Sequence, residues 1–278
     1  MKRLKLEQAD WHITLRGARR LLLFHDDADY KTFYAMLGEA CNDAGMGLIT
    51  DCLMSNHFHL SLSGGSEQLS RCMHRLNLAY SRYHNDRYDL SGHAFEQTYY
   101  CEPIPSEFIL QRVVRYIHLN PVRGGKAKRP EDYPWSGYRR LIFCVPEKLS
   151  PDERRVLLGF DSDLNQAART YRQFTEEGLK RRRRIVVSAG KTPAWEIWQE
   201  QFFWILEHLA DHKESLHPLE PEKVAIYLGS KAGIPPRVMG KALGYPDGRE
   251  TSQISYRLAQ LLDQDPILKA KVDDLHVL

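Results

Sequence analysis

GLITDCLMSNHFHLSLSG, residues 47–64, decides how the first half of the chain is read. GLITDCLMS and HFHLSLSG are two short strands joined near Ser55-Asn56, a hairpin pattern. Alternate side chains of a strand share a face. Phe58 is therefore expected in the core, and His57 and His59 project together to the other side. Two imidazoles so placed have two readings: a pair on a solvated face, or two nitrogen donors for one divalent metal. A third alternate histidine, which a histidine-triad nucleotide hydrolase needs, is missing, because position 61 is Ser61.

The flanking sequence places this hairpin in a fold. WHITLRG, 11–17, reads as a strand, with Trp11, Ile13 and Leu15 alternating with polar neighbours. Asp26 and Asp27 offer caps for a helix over about 28–44, with Tyr30, Phe33, Met36 and Leu37 at helical spacing and Gly45 and Gly47 ending it. Ser66 starts a second helix over about 67–85, with Leu69, Met73, Leu76 and Tyr80 on one stripe. GHAFEQTYYCEPI, 92–104, reads as a strand pair or an extended edge segment. Ser106 caps a helix to about 119, ended by Pro121. The order β-α-β-β-α-β-α predicts an α+β fold, a ferredoxin-like antiparallel sheet with helices on one face. After about residue 145 the texture becomes helical and basic. We expect three parts: a domain over 1–145, a helical connector and basic linker over 146–193, and an all-α domain over 194–278.

Composition limits the function classes. The 278 residues are 42% hydrophobic and 27% charged, an ordinary globular balance. No apolar run approaches the roughly 20 residues that span a bilayer. MKRLKLEQADWHITLRG lacks a signal peptide's apolar stretch, so the expectation is a cytoplasmic protein with no membrane partner. The five cysteines are scattered and form no CxxC pair, so buried free thiols are expected. Net charge is only +3, but arginines cluster: Arg16, Arg19 and Arg20; Arg112, Arg115 and Arg123; and KRRRR at 180–184. Such clusters are solvated faces or the footprint of a polyanion.

The helix ending in RYIHLNPVRGG, 115–125, adds two candidates. Tyr116 and Asn120 are four apart and share a helical face. An amide oxygen is a reasonable hard ligand for Mg²⁺ or Mn²⁺ beside two imidazoles, and a tyrosine one turn away would point at what the metal holds. Taken singly, Tyr116 reads equally as a core aromatic and Asn120 as a helix cap.

SNHFHL, RYIHLNPVRGG and EDYPWSGYRRL, in that order, together resemble the REP-associated tyrosine transposases, relatives of the single-tyrosine HUH transposases of insertion sequences. The opening strand and helix, 11–37, resemble that family too, and the likeness covers about residues 8–142. The resemblance implies a ferredoxin-like fold and a metal site of His57, His59 and Asn120 holding Mg²⁺ or Mn²⁺. It also implies that Tyr116 is the nucleophile that forms a covalent 5′-phosphotyrosine on single-stranded DNA near a hairpin. Arg112 or Arg115 is a candidate to activate the phenol. The sequence departs from the family pattern in GHAFEQTYYCEPI: Thr98 and Tyr100 stand where basic residues are usual, and Glu96 adds a negative charge. There the expected DNA grip shifts from charge to stacking through Tyr99 and Tyr100. Arg75, Tyr80, Arg82 and Tyr83 are further residues for the DNA path, and Trp135 is expected to pack.

Residues 225–268 have helix-turn-helix texture and weakly resemble the DNA-binding domain of the replication initiator DnaA. Thr251 or Ser252 is expected to cap a helix whose early residues, Gln253 and Arg257 among them, would face duplex DNA. The alternative is a helical bundle for packing or dimerisation. The expected protein is thus a metal-dependent single-stranded DNA transposase, monomer or homodimer, tethered to duplex DNA by its C-terminal domain. Its rivals are a catalytically silent hairpin-binding repressor of the same fold and a metal-dependent phosphohydrolase.

Overall fold

The computed structural model describes residues 5–96, 99–104, 106–143, 145–180, 218–245 and 248–273, with positions 198, 202, 205 and 209. The chain divides into two compact units, Met1–Arg182 and Arg183–Leu278.

The first unit begins β1 (Ala9–Arg16), α1 (Asp27–Ala44), β2 (Gly47–Met54), β3 (His57–Gly64), α2 (Ser66–Tyr88), β4 (Tyr100–Ile104) and α3 (Glu107–Arg123). Its sheet has the order β2-β3-β1-β4 with every neighbouring pair antiparallel, the ferredoxin-like arrangement. Local chemistry sets the helix ends. Asp26 Oδ1 accepts from the Ala28 and Asp29 amides at 3.0 and 3.2 Å, and Gly45, at φ 69°, supplies the left-handed residue that stops α1. Residues 92–96 form no strand pair; they touch β1 through one bridge, Gly17 with Phe95, and only 100–104 add the edge strand.

Apolar alternation decides the first core. Trp11, Ile13 and Leu15 of β1 and Phe58, Leu60 and Leu62 of β3 face α1 and α2, where Phe33, Leu37, Met73, Leu76 and Tyr80 meet them. Trp135 stacks on Tyr30 at 4.4 Å, the packing role expected of it. Between the two helices Asp29, fully buried, accepts from Arg87, Tyr83 and Tyr88.

Helices cover both faces of the sheet. α1 and α2 take the apolar face, and α3 lies against β2 and β3 on the other. α3 also runs further than expected, to Arg123, with Pro121 inside it. A proline so near the end forfeits one amide hydrogen bond, and Gly124 N still closes on Asn120 O at 2.8 Å. The helices α4 (Tyr138–Phe143), α5 (Pro151–Leu158) and α6 (Leu164–Lys180) pack against α3. A second core follows from Ile49, Leu110, Val114, Tyr138, Leu157 and Tyr171. Ile49 reaches it because the β2–β3 register shifts between Leu48 and Thr50. The expected boundary near 145 therefore falls inside this unit, whose helices continue to residue 180.

The second unit holds α7 (Pro221–Lys231), α8 (Pro236–Ala242), α9 (Arg249–Gln264) and α10 (Pro266–Asp273). Val224, Ile226, Val238, Met239, Leu258 and Leu262 are buried. Gly248, not Thr251 or Ser252, caps α9, because Thr251 is buried and its hydroxyl donates to the Pro236 and Gly248 carbonyls. The basic run beyond Lys180 and most of the apolar stretch 195–209 lie outside the described residues; Phe202, Ile205 and Leu209 are buried. Among the described residues no helix is long and apolar enough to cross a membrane. Cys41, Cys52 and Cys72 are buried free thiols, Cys101 is half-buried, and Cys144 lies outside the described residues.

Candidate active site on the histidine face

The strand register that buries Phe58 turns His57 and His59 to the face covered by α3. Their ring centres are 5.2 Å apart. Antiparallel pairing puts Thr14 opposite His59 and Arg16 opposite His57, so the polar side of β1 joins the same face. From β4, Tyr100 lies opposite Thr14 and Glu102 opposite His12. The expectation of a shared histidine face holds, and it extends to a polar patch across three strands.

One nitrogen of each imidazole is engaged from behind. His57 Nδ1 lies 2.8 Å from Asn56 Oδ1, an acceptor, so Nδ1 carries the proton. His59 Nδ1 lies 3.1 Å from Thr14 Oγ1 and 3.3 Å from His12 Nε2, with the His12 and His59 rings stacked at 5.5 Å. Burial holds His57 and His12 down to about 4 and pushes His59 well below its ordinary value; the Arg16 cation adds to the shift at His57. Both proposed ligands are thus neutral at physiological pH, with lone pairs available for a cation. The other ring nitrogens of His57 and His59 have no partner among the described residues.

α3 supplies the rest. Tyr116, 5% exposed, stands edge-on to His59 at 5.6 Å and to His12 at 6.0 Å. Asn120, one turn on and half-buried, donates its Nδ2 to the Tyr116 carbonyl at 2.9 Å, which leaves Oδ1 as an acceptor. That donor set, two neutral imidazoles and an amide oxygen oriented by hydrogen bonds, fits a divalent cation of the Mg²⁺ or Mn²⁺ class. Among the described residues no three His, Cys, Asp or Glu side chains converge to hold a metal. The third proposed donor is an amide, which such a cluster does not include.

The arginines divide. The Arg123 guanidinium lies 5.5 Å from the Tyr116 ring centre. Arg16 is exposed at the end of β1, and Arg19 is exposed in the turn after it. The Arg20 side chain lies outside the described residues. Arg112 and Arg115 correct the expectation. They are 5% and 1% exposed, and their guanidinium groups sit 3.3 Å over Phe108 and 4.0 Å over Phe174. They close the α3–α6 packing and can neither meet a DNA strand nor activate Tyr116 from the histidine face. Gln253 and Arg257 are exposed on α9 of the second unit.

Several other residues of the expected DNA path are structural. Tyr80 is buried and donates to Leu23 O at 2.5 Å, Tyr83 donates to Asp29, and Arg75 pairs with Asp43. Tyr99 is buried in the first core and cannot stack on a base from the surface; Tyr100 lies on the histidine face; Thr98 lies outside the described residues.

Sequence reasoning missed His12, Thr14 and Glu102. Glu102 is raised to about 7 by burial, with Oε2 lacking a partner, and His12 Nδ1 also lacks one. The signal was available: His12, Thr14 and Arg16 are the polar alternates of a strand whose apolar alternates were read as core.

Residues 5–120 match the family model described as IS200-like transposase. No curated protein matches the chain. Among solved structures it is similar to a REP-associated tyrosine transposase bound to a REP hairpin. That likeness is at 17% identity and a TM-score of 0.42, over 55% of this chain and 92% of that one. It is also similar to a Deinococcus radiodurans R1 protein described as a candidate transposase, at 15% identity and a TM-score of 0.31, over 40% of this chain and 92% of that one. The family match runs from before β1 to Asn120 and includes His57, His59 and Tyr116.

Proposed function

We propose that the protein is a metal-dependent transposase that cleaves and rejoins single-stranded DNA at hairpin-associated sites, with Tyr116 as the nucleophile. The observation that carries this reading is the position of Tyr116, edge-on to His59 at 5.6 Å with Asn120 one turn away on the same helix. A silent DNA binder has no need of a buried tyrosine set against two imidazoles with oriented nitrogens.

A divalent cation held by His57, His59 and Asn120 would neutralise charge developing on the nonbridging oxygens of the scissile phosphate. Asn56 orients His57, and Thr14 with His12 orients His59. Tyr116 Oη attacks phosphorus, and the bond from phosphorus to the 3′ oxygen breaks. The phenol gives up its proton, and the departing 3′ oxygen takes one up. Arg123, 5.5 Å from the ring, stabilises the phenolate as it forms, because a phenol ordinarily ionises only near pH 10. One phosphoester is exchanged for another, so a second strand's 3′ hydroxyl can attack the tyrosyl ester and rejoin the DNA without ATP. Gln253 and Arg257, exposed on α9, suit duplex contact by the second unit, and the protein acts as a monomer or a homodimer.

The test is a denaturing gel after incubation of the protein with labelled single-stranded hairpin DNA and Mg²⁺ or Mn²⁺. The expected result is a covalent protein–DNA adduct that disappears in Tyr116→Phe. Cleavage that survives Tyr116→Phe would replace the reading with a phosphohydrolase using water. Tight binding with no cleavage would replace it with a silent hairpin binder.

A further inference from the structure

Beside the histidine pair, on β1 and β4, two buried polar atoms have no use in the chemistry described so far. His12 and Glu102 are cross-strand partners, so their side chains stand on one face with Cβ atoms about 4.5–5.5 Å apart. His12 Nδ1 and Glu102 Oε2 are each buried with no hydrogen-bond partner among the described residues. We propose that Glu102 is a positioning residue for the metal: its carboxylate accepts from His12 Nδ1–H, and through His12 it orients His59. The inference rests on the metal site proposed above and adds the group that anchors one of its ligands.

Hydrogen-bond polarity is the first reason. His59 binds a cation only through a ring nitrogen that keeps its lone pair. Its Nδ1 already faces Thr14 Oγ1 at 3.1 Å and His12 Nε2 at 3.3 Å, so Nε2 is left for the cation and Nδ1 carries the proton. Two N–H groups do not face each other at 3.3 Å, so His12 Nε2 is an acceptor. In the neutral His12 ring the proton then sits on Nδ1. The atom that lacks a partner is therefore a buried donor, and a buried donor needs an acceptor.

Supply is the second. Glu102 Oε2 is an acceptor without a donor, on the residue opposite. Asp10, the other carboxylate on this side of β1, is taken by Arg155 at 2.8 Å. Cross-strand spacing puts the His12 ring within reach of a side chain as long as glutamate. The resulting chain, carboxylate to imidazole to imidazole to cation, is the way outer groups fix the tautomer and orientation of metal-binding histidines.

Charge is the third. The other titratable and charged groups around this face are Asp10 and Arg16 on β1, Tyr100 on β4, Glu107 and Tyr116 on α3, and Asp152 and Arg155 on α5. Arg155 is held by Asp10 and Glu107. Burial alone moves Glu102, and it pushes the carboxyl up to about 7. Below neutral pH the metal-free protein therefore holds Glu102 protonated. A cation on His59 polarises the chain of N–H groups and favours the carboxylate, so metal binding releases the Glu102 proton to solvent.

The test measures Mn²⁺ affinity of the full chain by electron paramagnetic resonance at pH 6, 7 and 8. His12 and His57 are held at about 4 and His59 well below its ordinary value, so none of them titrates in this window. Wild-type affinity should rise about tenfold from pH 6 to pH 8, because binding must deprotonate a group at about 7. Glu102→Gln keeps an acceptor but cannot ionise, and its affinity should be flat over the same range. Glu102→Leu and His12→Phe should each bind about tenfold more weakly at pH 8, and the two together should lose no more than either alone. Circular dichroism checks that each variant folds. A flat wild-type profile, or a profile that Glu102→Gln leaves unchanged, overturns the relay while the metal site stands. Additive losses in the double variant also overturn it, by making Glu102 a direct ligand. No Mn²⁺ binding by the wild type at any pH overturns the metal site and the relay with it, so the two failures are distinguishable.

Discussion

Acid should unfold this protein earlier than its composition suggests, and the buried histidines set the size of the effect. Burial holds His12 and His57 at about 4, against 6.5 for an ordinary imidazole, and puts His59 and His118 well below it. A group whose folded pKa lies below its unfolded one contributes stability that is complete above about pH 6.5 and is lost as pH falls toward the folded value. Between pH 7 and pH 5 His12 and His57 each cost slightly under about 2 kcal/mol at 1.36 kcal/mol per pH unit, about 4 kcal/mol for the two, and His59 and His118 act in the same direction. Glu102, raised to about 7 from 4.5, acts in the opposite direction and returns at most about 2 kcal/mol over the same interval. These three groups leave a net loss of about 2 kcal/mol, to which His59 and His118 add, a large share of the stability of a modest domain. The assay is urea unfolding of the metal-free protein followed by circular dichroism at half-unit steps from pH 7 to pH 5. The unfolding free energy should fall below pH 6.5, and His12→Gln should flatten the slope by slightly under about 1 kcal/mol per pH unit. A change under about 1 kcal/mol across the interval, or ring signals of these four histidines titrating near 6.5 by NMR, would refute the reasoning.

Two further outcomes follow from the buried charges. Asp51 is fully buried, Arg140 Nη2 donates to it at 2.5 Å and Tyr34 Oη at 2.6 Å, so Asp51→Ala should destabilise by about 3 kcal/mol; thermal unfolding of that variant and of Asp51→Ala with Arg140→Met should show the second change recovering part of the loss. Arg115→Ala should lower stability by about 2 kcal/mol yet leave the salt dependence of DNA binding unchanged, whereas Arg123→Ala should cut adduct formation at least about tenfold with little effect on folding; equal effects of the two on adduct formation would overturn their assignment to different faces.

The fold was legible where periodicity is strong. The alternation of β1 and β3 and the helical stripes of α1 and α2 are one-dimensional consequences of burying one side of each element, and they appear in the structure with ends shifted by a few residues. Helix ends were less legible. Pro121 reads as a stop, but its missing amide removes one hydrogen bond and the last turn survives it. Thr251 reads as a cap, but a hydroxyl that reaches a carbonyl of the preceding helix serves packing instead.

The candidate site divides the same way. By itself the sequence determined that His57 and His59 share a face, and that Tyr116 and Asn120 share another, because strand and helix geometry convert spacing into direction. Only the tertiary structure decided that these two faces meet: α3 lies on the side of the sheet opposite α1 and α2, and Tyr116 comes within 5.6 Å of His59. It also decided which cations are available. Arg112, Arg115 and Arg123 look alike in sequence, yet two are buried against aromatic rings of α3 and α6 while the third lies beside Tyr116. His12 and Thr14 entered the site through the pairing of β1 with β3, a contact between residues some 45 positions apart. No local spacing encodes such a contact; it exists only once both strands have been driven into one sheet by the burial of their apolar faces.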